Sequence, residues 1–404
     1  MTTMTDPQKA SFRLSMLIYD TRYRSYTFQM IALLLLIAAF AWLGSNLMQN
    51  LRDAGLSISW EFLGEPSSYD INQTLIEYDS RSSHWRATLV GVINTLLVSL
   101  LACMTATIIG VAAGVLRLSK NWLVRKLMAV YVEAFRNVPV LIWIIIIFTI
   151  MTAVMPAPRA FRGEDPDASM VFGAMAFTNR GVYIPKPLFE PAGWVVLGIF
   201  IASIVGVFAY RRYATKLLYD TGKLLPMGWP SLAILLLPAI LAFFVLGRPI
   251  SLEYPELGGF NFSGGIQILG SLIALWFALA IYTGAFIAEN VRAGILSVSK
   301  GQTEAAASLG LRPGRIMNLV VLPQALRVII PPLISHYLNI TKNSSLAIAV
   351  GYMDLTGTLG GITLNQTGRA IETILLLMLF YLAISLSISA IMNVYNNAIK
   401  LKER

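Results

Sequence analysis

The chain has 404 residues, of which 56% are hydrophobic and only 13% charged, with a mean hydropathy of +0.67. Soluble domains carry about 25% charged residues, so half the usual solvating charge is missing and a water-soluble globule is excluded. The net charge of +10 raises nucleic acid as a partner, and the placement of that charge decides the matter.

A membrane-crossing helix needs about 20 mostly apolar residues. Eight runs come near that length: 28–49, 88–116, 124–155, 192–210, 230–247, 265–290, 314–340 and 371–395. Before the first run, basic residues spread from Lys9 to Arg24, and Ala39-Phe40-Ala41 looks like a signal-peptidase site. The apolar run continues through Trp42 and Leu43, so an uncleaved helix is predicted. The second run carries Asn94, Thr95, Ser99 and the single cysteine, Cys103. The third holds Glu133 and Arg136, three apart and therefore on one helix face. The fourth and fifth fall within a stretch, 146–262, that also holds a long polar loop. The sixth repeats the charged spacing with Glu289 and Arg292. The seventh is expected to be broken by Pro323, Pro331 and Pro332. After the eighth, a short tail, 399–404, remains.

With the N-terminus cytoplasmic and the sides alternating, 19 Lys and Arg fall in cytoplasmic segments and 10 in the longer outer ones. Cytoplasmic enrichment of these residues sets helix orientation. The basic balance is thus topological, and nucleic acid is not an expected partner. Both termini, 211–229 and 291–315 are then cytoplasmic, with 50–87 and 156–190 outside. Trp42, Trp122, Trp194 and Trp229 sit near helix ends, where amphipathic rings favour the bilayer interface.

Catalytic and metal chemistry find little support. One cysteine allows no internal disulfide and no thiolate metal site. His84 and His336 lack ligand-spaced partners and read as structural. No GxxxxGK[ST] phosphate loop occurs, since Gly222-Lys223 lacks both the leading glycine and the hydroxyl. Neither an HExxH nor a paired-Asp arrangement lies in the spans. No cofactor on this chain and no enzymatic activity are expected.

Between the sixth and seventh runs, SKGQTEAAASLGLRPGR has the marks of a short cytoplasmic helix. Ser299 can cap its start while Gln302 reaches back, as in a capping box. Ala305, Ala306 and Ala307 favour helix and carry almost no bulk. Gly310 suits the left-handed position that ends a helix, Leu311 can fold back, and Pro313 prevents continuation. Two readings stand: a connecting turn, or a helix that docks against another protein.

Glu304-Ala305-Ala306, Gly310, Val320, Leu322 and Pro323 resemble, at matching spacing, the EAA–G–I-x-LP motif of ABC importer permeases, with Val320 in place of the usual Ile. Tyr131–Pro139, Ala288–Ile295 and Lys342–Ala347 are similar to stretches of that family's polar-amino-acid branch. The resemblance implies an all-α type I permease with about eight spans, in which 88–145 and 263–398 form a five-helix core. Residues 1–87 and 146–262 are extensions like those of general L-amino-acid and glutamate/glutamine/aspartate/asparagine permeases. It further implies that 297–315 is a coupling helix seated on an ATP-hydrolysing subunit, with docking assigned to Glu304, Ala305, Ala306 and Gly310. Leu322 and Pro323 would fix the helix that follows. The implied partners are two ATPase subunits that use ATP, a second related permease, a periplasmic amino-acid-binding protein and the bacterial inner membrane.

Ionisable groups inside a bilayer usually have a partner or a function. Glu133 with Arg136, and Glu289 with Arg292, read either as self-neutralising pairs or as gate or ATPase contacts. Asn94, Thr95, Ser99, Asn339, Asn343 and Ser344 are candidates for a substrate path, because uncharged amides and hydroxyls can meet both ends of a zwitterion. For each residue taken singly, helix–helix hydrogen bonding is the first reading. Broken helices also admit an ion-driven secondary transporter or a channel, although the inverted repeat expected of a secondary transporter is not found.

Overall fold

The computed structural model describes residues 16–55, 57–163 and 165–399; Lys9 and the tail 400–404 lie outside them. The chain divides into two units, Met1–Glu61 and Phe62–Arg404.

In the first unit a short turn, α1 (Met16–Tyr19), precedes α2 (Thr21–Asp53). At 1.5 Å per residue, the 33 residues of α2 reach about 50 Å. The helix runs unbroken through Ala39-Phe40-Ala41, with apolar side chains such as Leu35 and Phe40 exposed, as bilayer-facing groups are.

The second unit contains α3 (His84–Leu116), α4 (Trp122–Arg136), α5 (Val140–Thr149), α6 (Pro191–Thr221), α7 (Gly228–Val245) and α8 (Gly270–Leu296). These are followed by α9 (Lys300–Ser308), α10 (Pro313–Ile316), α11 (Leu322–Asn343), α12 (Leu364–Thr367) and α13 (Ala370–Ile399). Seven helices of the described residues are long and apolar enough to cross a membrane, or eight if one bent pair counts as a crossing.

That bent pair corrects the third expected run. Instead of one span over 124–155, α4 and α5 meet at 102°. Pro139 forces its predecessor away from helical geometry, and its own ψ of 138° starts α5 in a new direction. The seventh run is corrected the other way. α11 continues unbroken through Pro331 and Pro332, since membrane helices tolerate proline where neighbours satisfy the freed backbone groups. A π-helical turn at Met317–Val321 joins α10 to it.

The centre of the unit is the seam between α3 and α8. Thr105 accepts from the Trp276 indole, Gly110 faces Gly284 and Ile287, and Gly114 faces Ala288 and Val291. Both series ascend together, so the helices are parallel. α11 runs against α8, with Ile329 on Gly294 and His336 beside Asn290. Loops 62–83, 155–190, 246–269 and 344–369 therefore gather at one end, and 117–121 and 297–312 at the other. This is the grouping that alternate crossings require.

The first end is more ordered than polar loops would suggest. β1 (Ala176–Thr178), β2 (Gly181–Ile184) and β7 (Ile266–Ile268) form an antiparallel sheet in the order β1-β2-β7. β3 (Lys186–Phe189) pairs with β4 (Ile250–Glu253), and β5 (Glu256–Leu257) with β6 (Phe262–Ser263). Tyr183 and Phe262 fill a small core of their own. The β3–β4 pairing fixes the roots of the α6–α7 hairpin. Residues 62–83 also belong here: Tyr69 and Ile71 pack on Ala87 and Val90, and the Tyr69 hydroxyl lies 3.2 Å from Thr363 Oγ1.

Candidate functional site

Two places concentrate the candidate side chains, one in the α8–α11 connection and one between α8 and α11.

At the first, α9 begins at Ser299, whose backbone has the extended cap conformation, yet its side chain makes no capping hydrogen bond. The expected capping box is absent because the Gln302 N–H, the donor that Ser299 Oγ would satisfy, is taken by the Ser299 carbonyl at 3.1 Å. The other terminus is a Schellman motif. Gly310 has φ +77°, its N–H donates to Ala307 O at 2.9 Å, and the Leu311 N–H donates to Ala306 O at 3.4 Å. Leu311 folds back onto the cluster of Ala306, Ile316 and Val321.

This packing divides the motif. Ala306 is 6% exposed and faces its own chain, where it packs with Ile316 and Val321. Glu304, Ala305 and Gly310 face outward, together with Leu309 at 81% exposure. Leu309 was not singled out by sequence; an exposed leucine between a helix and its terminal glycine is the signal that was available. Leu322 is exposed and Pro323 half-buried at the start of α11.

Just above, Glu289 is held by two arginines. Arg292 Nη2 lies 2.7 Å from its Oε1, and Arg117, which follows α3, donates to its Oε2. The carboxylate thus ties the ends of α3 and α8 together directly before α9. The Glu133–Arg136 pair does not form. Glu133 accepts from Asn137 Nδ2 at 3.3 Å, while the Arg136 guanidinium sits 5.3 Å from the Phe286 ring centroid. Arg136 stands at the last position of α4, so its side chain turns toward α8 for a cation–π contact.

The second place is a cavity of about 280 Å³ between α8 and α11, lined by Tyr282, Thr283, Phe286, His336, Asn339 and Asn343. Asn290 Nδ2 donates to His336 Nε2 at 2.7 Å. Of the six residues expected on a substrate path, only Asn339 and Asn343 meet here. Asn94 Nδ2 donates to the Gln73 and Met353 carbonyls, Thr95 Oγ1 accepts from the Leu355 N–H, and Ser344 Oγ donates to Thr341 O. The Asn94 and Thr95 bonds hold the 344–369 segment against α3, whereas the Ser344 bond stays within the last turn of α11. Ser99 Oγ has no partner among the described residues and lines a separate apolar groove between α3, α11 and α13. His336, read as structural from sequence, shares the cavity. Its spacing to Asn339 and Asn343, three and seven residues, is one helix face and was the available signal.

No group of three or more His, Cys, Asp or Glu able to hold a metal ion occurs among the described residues.

Comparison with known proteins identifies the family. The family described as "Binding-protein-dependent transport system inner membrane component" matches residues 195–401. The chain is 52% identical to the glutamate/glutamine/aspartate/asparagine transport system permease protein BztB of Rhodobacter capsulatus, over 100% of both chains. It is 42% identical to the general L-amino acid transport system permease protein AapQ of Rhizobium johnstonii, covering 98% of this chain and 96% of that one. It is also 42% identical to the putative amino-acid ABC transporter permease protein YhdX of Escherichia coli, covering 94% and 95%. A relative this similar along its whole length, and a family match over half the chain, lead to one conclusion: this chain belongs to the inner membrane components of binding-protein-dependent transport systems.

Proposed function

We propose that the chain is the larger permease subunit of an ATP-driven importer of polar amino acids, such as glutamate, glutamine, aspartate and asparagine. The observation that carries this reading is α9, a helix closed by a Schellman turn, held to its own chain by Ala306 and presenting Glu304, Ala305, Leu309 and Gly310 outward. A connecting turn needs no such exposed, small-residue face. One ATPase subunit docks on it and a second docks on the partner permease; both hydrolyse ATP, and the Glu289–Arg117 tie passes their closure to α3 and α8. In thermodynamic terms the bundle is a two-state element that nucleotide and binding protein both bias.

In this reading α3, the α4–α5 pair, α8, α11 and α13 make the five-span core, corresponding to 88–145 and 263–398. The regions 1–87 and 146–262 extend it. A second, different permease completes the pathway against α11. Asn339 is exposed on a membrane-spanning helix, and an amide facing lipid would be costly. A water-filled path between two permeases removes that cost. Asn339, Asn343, Thr283 and His336 then meet the substrate's ammonium and carboxylate groups.

Reconstituted with its partners, the transporter is expected to accumulate glutamate only when ATP is present on the side of α9. Glutamate accumulation driven by an ion gradient with the ATPase omitted would overturn the proposal in favour of a secondary transporter.

Orientation has its own test. With α9 cytoplasmic, the chain lies in the bacterial inner membrane with both termini inside. Gly301 has open space where a Cβ would sit, so Gly301→Cys in a Cys103→Ser background is expected to fold normally. An impermeant thiol reagent should modify it in inverted vesicles and not in intact spheroplasts. Labelling from outside would invert the assignment.

A further inference from the structure

The β layer at the end opposite α9 holds a surface cavity of about 280 Å³ bordered by Arg159, Arg162, Arg180 and Phe260. No carboxylate among the described residues lies within 4.0 Å of any of the three guanidinium groups. Asp165 and Asp167, close in sequence, do not close on them. Arg162 Nη2 donates to Gly258 O at 2.8 Å and Arg180 Nη1 to Phe260 O at 3.1 Å. Each bond uses one of five guanidinium donors and fixes the group in place. Three like charges around one hollow repel one another, and an anion set among them removes that repulsion.

The rim shows what kind of anion. Phe260 is 91% exposed, and Phe172 in the same layer is 90% exposed. A small anion covers little aromatic surface, whereas a protein surface covers a whole ring. Arginine and aromatic side chains are also the residues enriched where interfaces draw most of their affinity. The paired strands beneath hold the cavity's shape before anything binds, which lowers the cost of association.

Resting on the importer reading, we propose that this arginine-lined cavity is the docking point for the transporter's substrate-binding protein, and that it receives an acidic side chain from that protein's surface while Phe260 packs beside it. The layer is built from 155–190 and 246–268, segments outside the five-span core, so the contact is an addition to whatever the core itself offers.

The test uses the complete transporter in nanodiscs and its own binding protein loaded with glutamate, with affinity and ATP turnover measured together. The Arg159 side chain makes no hydrogen bond among the described residues, and its carbonyl, which accepts from the Arg162 N–H, is kept in any substitution, so Arg159→Glu leaves the layer's internal bonds intact. It is expected to weaken binding by about tenfold, as loss of a close interfacial charge pair does, and to flatten the dependence of binding on salt. Arg159→Lys should retain most of the affinity, Phe260→Ser should weaken it several-fold, and ATP turnover without binding protein should stay at the wild-type rate in all three. Wild-type affinity in Arg159→Glu would overturn the docking assignment while leaving the importer reading intact. A loss seen in phosphatidylglycerol discs and not in phosphatidylcholine discs would overturn it in favour of lipid headgroups. A wild-type transporter that neither binds the protein nor responds to it would overturn the importer reading itself.

Discussion

Gly310→Asp is expected to insert and accumulate like wild type yet to lose nearly all uptake. Gly310 sits at φ +77° with open space where a Cβ would lie, so the substitution meets no clash and incurs only the left-handed strain of a non-glycine residue, about 1 kcal/mol. Aspartate tolerates that region better than most residues, and a bundle of this size absorbs the strain. The new carboxylate, however, lies beside exposed Leu309 on the face proposed to seat in the ATPase. A charge left unpaired at such a contact costs about 2–5 kcal/mol, which is tenfold or more in affinity. Uptake and ATPase stimulation should therefore fall together, and less ATPase should co-purify. Gly310→Ala carries the same backbone strain without the charge and should fall between. Ser299→Ala should stay close to wild type, because Ser299 Oγ makes no capping bond. If Gly310→Asp carries glutamate at the wild-type rate, α9 is a connecting loop and the coupling role fails.

The contrast between Ser299 and Gly310 shows what a sequence can and cannot carry. Both ends of α9 were legible, because caps are local: Gly310 with Leu311 and Pro313 specifies its turn within a few residues. Which oxygen Ser299 offers to Gln302 depends on a few tenths of an ångström in backbone placement, and no residue pattern records that. The spans were legible through composition alone, and so was the likeness to a family of transport permeases. The bend between α4 and α5 was written in Pro139, but the apolar runs on either side masked it. The strands of the β layer have two to four residues each, too few for an alternation to stand out, and two of the pairings, Ile184 with Ile266 and Phe189 with Ile250, join residues far apart in sequence. Arg136 was paired with Glu133 from spacing on one helix; the competing partner, Phe286, comes from another helix, which spacing cannot see. For the same reason Asn339 and Asn343 could not be told from Asn94 and Thr95. All four are polar residues in or beside apolar runs, and only packing separates a cavity wall from a buried hydrogen bond.

Packing also decides the largest structural effect expected in the chain. A Cβ placed on Gly110 would lie 2.5 Å from Ile287 Cβ and 2.9 Å from the Gly284 carbonyl oxygen. At Gly114 it would lie 2.7 Å from Ala288 O and 2.8 Å from Val291 Cβ. These neighbours are backbone atoms and branched carbons, with no flexible end to swing away, so α3 and α8 would have to part. Lipid tails are as apolar as side chains, so helices in a bilayer associate chiefly through close packing and interhelical hydrogen bonds, and parting them removes the first. The Thr105–Trp276 bond and the Arg117–Glu289 tie span the same seam and would be stretched with it. Overpacking costs about 1–3 kcal/mol in ordinary cores; two sites one helical turn apart on one seam should exceed that. Gly110→Val with Gly114→Val is therefore expected to abolish recovery of monodisperse protein in detergent, and Gly110→Val alone to lower the melting temperature by several degrees. Gly198→Val is the control, since nothing lies within 4 Å of its added Cβ. Size-exclusion profiles of the heated, solubilised chain read the difference directly. A double variant as monodisperse and heat-resistant as wild type would show that α3 and α8 do not meet along this seam. The parallel arrangement that places the β layer and α9 at opposite ends would then fall with it.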